Sequence, residues 1–189
     1  MTSATPLRAD AERNVRSIID AAITLLAVEP DASMERVAAA AGVGRATVYR
    51  HFANREQLVR EIHDRALRDA RDAVLSSHPE EGSALEALER SIRAILVVGD
   101  RYRLVRQIPP GDKELMARAE EVGAPLVAMI ERGQRSGELR KDLPARWIAA
   151  SLGALVQAVT RAMIDGGVRE RAAAGLVVAT LLDGTRARG

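Results

Sequence analysis

The sequence predicts an all-α protein of about nine helices, and three observations predict it. Aromatic residues are only 2% of the 189-residue chain (Tyr49, Phe52, Tyr102 and Trp147), whereas strands favour aromatic and β-branched side chains. The 47% apolar content is mostly Ala, Leu, Val and Ile, which suits helix packing. Apolar residues recur at three- and four-residue spacing in segments punctuated by Pro and Gly, and no alternating strand pattern competes.

The elements follow in order. Val15, Ile18, Ile19, Ala22, Ile23 and Leu26 form the stripe of a first helix, with Asp10 as the expected cap. Pro30 ends it by disfavouring helical geometry at Glu29. Ser33 is placed to cap a second, short helix over 34–41, and Gly42 followed by apolar Val43 fits a left-handed C-terminal cap. A third short helix covers 45–52. A long fourth helix starts near Asn54, carries Leu58, Ile62, Ala66, Leu67, Ala70 and Val74 on one face, and closes at His78-Pro79. Further helices are expected over 85–98, 102–108, 113–135, 144–165 and 169–183. Within 113–135, Pro125 predicts a kink, because proline removes a donor and crowds the carbonyl four residues back.

Composition narrows the chemistry. The absence of cysteine excludes disulfides, cysteine-ligated metals and thiol catalysis. His51, His63 and His78 have no metal-ligand spacing, and no serine sits in a nucleophile elbow, so neither a metal, a cofactor nor a catalytic residue is expected. Gly42-Val43-Gly44 begins like a dinucleotide loop, but Thr47 stands where the third glycine belongs and no strand precedes it. The N-terminus shows no apolar signal region, and no stretch approaches the length of a membrane span, so a cytoplasmic protein that does not enter a membrane is expected. Net charge is +2, and only Lys113 and Lys141 among the 28 basic residues are lysine.

Where the arginines sit is more informative. The stretch from Ser33 to Phe52 is helix, tight glycine turn, helix, the sequence form of a helix-turn-helix. On the third helix Val48 and Phe52 share a face and can pack inward. At about 100° per residue, Ala46, Thr47, Tyr49 and Arg50 then point outward. Ala46 permits close approach, Thr47 and Tyr49 can bond phosphates or base edges, and Arg50 can reach guanine or phosphate. Between Gly42 and Arg55 there are three arginines, one histidine and no acid, while residues 1–41 carry four basic and six acidic residues. The positive charge is therefore local to the third helix, as counterion release on DNA requires. Periodicity and charge alone also fit a solvated helix with incidental arginines.

The stretch resembles the DNA-binding domain of the TetR/AcrR family of bacterial transcriptional regulators. The resemblance is carried by Val37-Ala38, Ala41-Gly42-Val43, the run from Arg45 through Thr47-Val48-Tyr49-Arg50-His51-Phe52, and Asn54-Arg55-Glu56-Gln57-Leu58. It is strong over residues 10–60. Beyond that, only the helical layout and the segment 137–144 are similar to the family. The resemblance implies that Ser33 caps helix two and touches phosphate, that Arg45 and Thr47 open the recognition helix, and that Tyr49 and His51 contact the DNA backbone. It implies a phosphate contact for Arg55 at the start of helix four. Gly44 departs from the pattern, since serine or threonine is common at that cap; glycine there costs a few tenths of a kcal/mol and loses a hydroxyl contact.

The resemblance divides the chain into a DNA-binding domain, 1–53, and a helical ligand-binding and dimerisation domain, 54–189. It implies a homodimer on a pseudo-palindromic operator, most simply a repressor released by a small effector, which the few aromatics and the aliphatic and methionine candidates below suggest is mainly apolar. The run Ala172–Leu182 carries no charge on any face and must be buried all round. Leu152, Leu155, Val156, Val159, Leu176, Val177 and Leu181 are therefore expected at a four-helix dimer interface, although both helices also fit the interior of a monomer. Ile95, Leu96, Tyr102, Leu104, Met116, Met129 and Trp147 are the candidate walls of an effector cavity. Two other readings remain open: a small-molecule-binding protein with a vestigial DNA head, which Gly44 favours, and a ligand-independent or activating DNA binder.

Overall fold

A computed structural model describes residues 6–102 and 113–185. Among them nine helices occur: α1 (Pro6–Val28), α2 (Met34–Ala40), α3 (Arg45–His51), α4 (Arg55–Ser76), α5 (Ala84–Arg101), α6 (Lys113–Val122), α7 (Ala124–Ser136), α8 (Ala145–Ile164) and α9 (Glu170–Thr185). The chain forms two compact units that divide within α4, between Arg65 and Ala66.

In the first unit the apolar stripe of α1 is buried as Ile18, Ile19, Ala22, Ile23 and Leu26. α1 packs on α2, and α2 on α3. The Ser33 hydroxyl accepts the Arg36 N–H at 3.3 Å, capping α2. At the other end Gly42 adopts φ +67°. The Val43 N–H reaches the Ala38 carbonyl at 3.1 Å and the Gly42 N–H the Ala39 carbonyl at 3.2 Å. This paired closure needs a left-handed residue, which glycine supplies without strain. The Ser17 hydroxyl donates to Ala41 at 3.2 Å and ties the turn to α1. Asn54 caps α4 by accepting the Gln57 N–H at 2.8 Å, and Gln57 returns the bond by accepting the Ala53 N–H at 2.7 Å.

In the second unit Leu88, Ile92, Met129, Ile130, Leu139, Ile148 and Leu152 form the core with the inner faces of α8 and α9. Ser83 and Glu86 cap α5 reciprocally: the Glu86 N–H meets the Ser83 hydroxyl at 3.2 Å, and the Ser83 N–H meets the Glu86 carboxylate at 3.0 Å. Two guanidinium groups hold the turn before α5. Arg90 donates to the carbonyls of Ser77, His78 and Glu81, and Arg132 to those of Pro79, Glu80 and Gly82. Gly133 lets α7 approach the start of α5 closely, since a Cβ there would lie 2.8 Å from Ala84 and 2.7 Å from Leu139.

Several expectations are corrected. The helix expected over 113–135 is two helices, broken at Gly123. Pro125 lies in the first turn of α7, where its missing N–H forfeits no helical bond, while its ring blocks continuation from α6. α8 is long and apolar enough, by length and composition, to cross a membrane, contrary to the expectation that no stretch approaches that length; 17% of that window is buried. Trp147, expected in a cavity wall, is 62% exposed. Ala145, Ile148 and Leu152 occupy the inner face of α8, and Trp147 stands about 100° away from Ile148. Of the expected dimer contacts, Leu152, Val159, Val177 and Leu181 are buried in the chain's own core, so they are covered without a partner. Leu155 and Val156 pack partly against that core, and Leu176 is 48% exposed.

Candidate nucleic-acid interface

α3 is held from beneath and bare above. Val48 is fully buried and Phe52, at its C-cap, nearly so. With those anchors inward, Arg45, Ala46, Tyr49 and Arg50 are exposed and Thr47 half-buried. Gly44 caps α3 with no side-chain bond, and a Cβ there would meet only the Thr47 hydroxyl, at 4.0 Å. A short helix with small and hydroxyl-bearing residues at its start, and guanidinium and phenol groups along its outer face, has the shape and donors for a DNA groove.

The outer face is already organised. The Arg45 guanidinium lies 5.3 Å from the Tyr49 ring centroid, a cation–π distance. Glu35 on α2 accepts from Arg45 at 2.9 Å and from the Tyr49 hydroxyl at 3.4 Å. Its own backbone N–H, the Ser33 hydroxyl, Arg45 and Tyr49 hold the Glu35 carboxyl below the ordinary carboxylate range. Counting charge along the chain missed this acid: Glu35 is ten residues before Arg45, and only the packing of α2 on α3 brings them together.

The remaining DNA candidates are placed differently. Arg55, at the first position of α4, donates to the Pro30 carbonyl after α1. His51 is half-buried, and its Nε2 is buried without a hydrogen-bond partner among the described residues, so that atom cannot donate to a phosphate unless the ring turns. Ser33 is exposed beside Glu35.

The described effector candidates lie in the second unit. Met129 is buried in the core, and Ile95 and Leu96 pack partly against it. Tyr102 is buried and donates its hydroxyl to Asp69, while Arg101 lies 5.6 Å from its ring. Leu104 and the side chain of Met116 lie outside the described residues.

Comparisons with known proteins agree with this geometry. Residues 18–62, which contain α2, α3 and the start of α4, match the model of "Bacterial regulatory proteins, tetR family". The chain is 33% identical over 163 residues to the transcriptional repressor LfrR of Mycolicibacterium smegmatis, covering 85% of this chain and 84% of LfrR. It is 29% identical over 171 residues to the transcriptional regulator NfxB of Pseudomonas aeruginosa, covering 87% and 88% of the two chains. The crystal structure of LfrR in complex with proflavine superimposes with a TM-score of 0.76 at 30% identity, over 92% of this chain and 96% of LfrR. The relatives are regulators of transcription, and the part matched by the family model is the part whose outer face presents the donors. The chain belongs to the TetR family of bacterial regulatory proteins and is a DNA-binding transcriptional regulator.

Proposed function

We propose that this regulator is a repressor that binds a pseudo-palindromic operator as a homodimer and is released by a small-molecule effector. The observation that carries the DNA part is the core-anchored α3, whose outer face offers Arg45, Ala46, Thr47, Tyr49 and Arg50. Residues 1–53 act as the reading head and 54–189 as the effector and dimerisation domain. The name of LfrR as a repressor supports the sign of the regulation. No catalytic role is assigned, and such a regulator works in the cytoplasm, where chromosomal DNA is accessible.

The dimer reading moves outward from the residues first expected. α8 and α9 pack on each other, and their outer faces are small and uncharged over long stretches. Gly153, Ala154 and Ala158 on α8, and Ala172, Gly175, Leu176 and Ala179 on α9, are all exposed. Small residues let helices of two copies approach closely, and Leu176 supplies an apolar anchor. A two-fold pairing of this face gives one self-complementary contact and two copies of α3.

The effector reading rests on the aliphatic groups Ile95 and Leu96, on Tyr102 held by Asp69, and on the likeness to LfrR, whose structure contains proflavine. A mainly apolar molecule that wedges these groups apart is transmitted through α4, which begins with Arg55 and is continuous to Ser76. It shifts the equilibrium only by its differential affinity for the two states, about 1–3 kcal/mol of coupling.

The test is alanine substitution on the outer face. Tyr49→Ala and Arg50→Ala are each expected to weaken specific duplex binding by about 1–3 kcal/mol, and Arg55→Ala to reduce the salt slope by about one. Fluorescence anisotropy over a salt series reads both effects. Three variants that bind like the parent would overturn the assignment of α3.

A further inference from the structure

Glu35 is the acid that the reading head itself engages. Its carboxylate accepts from the Arg45 guanidinium at 2.9 Å and the Tyr49 hydroxyl at 3.4 Å, and it stands beside the Ser33 hydroxyl. Ser33 and Tyr49 are among the residues expected to meet the DNA backbone, and Arg45 opens the same recognition helix. A carboxylate offers paired anionic oxygens much as a phosphodiester does, so one side chain occupies the donors that a backbone phosphate needs. The two anions cannot share those donors without repulsion, and a duplex seated on α3 must turn Arg45 and Tyr49 away from Glu35.

We propose that Glu35 is an internal phosphate surrogate, a specificity-determining residue that competes with DNA for Arg45 and Tyr49 and so lowers affinity for duplex of any sequence. The proposal rests on the reading of α3 as the DNA-contacting face. Arg45 and Glu35 are both exposed, so their ion pair is screened and weak enough for a duplex to displace. It acts as a threshold. Non-specific binding relies on backbone charge alone and has little with which to overcome the competition, whereas a cognate site adds base contacts that offset it. The Glu29–Arg36 pair, also 2.9 Å long, joins the end of α1 to α2 and serves as an internal control.

The test uses the full chain and a duplex of random sequence, with anisotropy measured over a salt series. Glu35→Gln is expected to bind about three- to tenfold more tightly than the parent at low salt. The slope of affinity against salt is expected to steepen by about one, because Arg45 becomes available for one further phosphate. Glu29→Gln, which removes the same charge elsewhere, leaves the slope unchanged. In an Arg45→Ala background the slope change on Glu35→Gln disappears, because the partner whose release caused it is gone. Glu35→Gln binding no tighter than the parent, or more weakly, would overturn the proposal and make Glu35 a positioning residue for α3. A parent chain that does not bind the duplex even at low salt would overturn the assignment of α3 itself, a distinct result.

Discussion

Leu176→Glu is expected to separate the proposed dimer while leaving each chain folded, whereas Leu181→Glu is expected to unfold the chain. The residues are five apart on α9 and point about 140° apart: Leu176 is 48% exposed and Leu181 is 3% exposed within the chain's own core. An unpaired charge at Leu181 has no water and no partner, which costs several kcal/mol. That is a large fraction of a typical domain stability of about 5–15 kcal/mol. At Leu176 the same charge remains solvated in a single chain, where surface changes stay within about 0.5 kcal/mol. In a two-fold dimer it would be desolvated twice. Sedimentation and thermal melting followed by circular dichroism separate the outcomes. Loss of the dimer should also reduce operator affinity by about 10²–10⁴, the avidity that joining two heads supplies. A Leu176→Glu chain that remains dimeric would remove this face from the interface.

Phe52→Ala is the second large effect. Phe52 is nearly buried at the C-cap of α3 and, with Val48, anchors the helix from beneath. Truncating a buried phenylalanine costs about 3–5 kcal/mol through lost burial and the cavity left behind. α3 has only seven residues, too few to be helical in isolation, so loss of its anchor should release it. The expected result is a lower denaturation midpoint and loss of duplex binding, although no outward-facing donor has been removed. Phe52→Leu, which keeps most of the apolar volume, should retain most of both. Equal melting of parent and Phe52→Ala would show that α3 is not held this way.

The reading head was largely legible in the sequence because its determinants are local. Ser33 and Gly42 specify caps through a side chain and backbone freedom, and the structure uses each in that role, whereas Asp10, expected to cap α1, lies inside it because the helix already begins at Pro6. Val48 and Phe52 set the phase of α3, since every other position on it is polar or small. α8 and α9 offered no such phase. Apolar and small residues surround both helices, so periodicity did not distinguish the face bearing Ile148 and Leu152 from the face bearing Trp147 and Ala154. Only packing against α5 and α7 decides it, which is why four expected partner contacts are core residues. Glu35 was missed for a related reason: the contact to Arg45 depends on how two helices meet, and charge summed along the chain assigned the two residues to different segments.

In the proposed mode of binding, two copies of α3 read two half-sites of one duplex. Selection by the full chain from a pool of random duplexes tests it, whatever the operator sequence. The expected result is enrichment of an inverted repeat whose half-site centres lie about 34–36 Å apart, one turn of DNA, or a whole multiple of that. Arg50→Ala should blur the enriched positions and Leu176→Glu should abolish the repeat. Enrichment of a single, non-repeated site by the parent, or no enrichment at all, would contradict it.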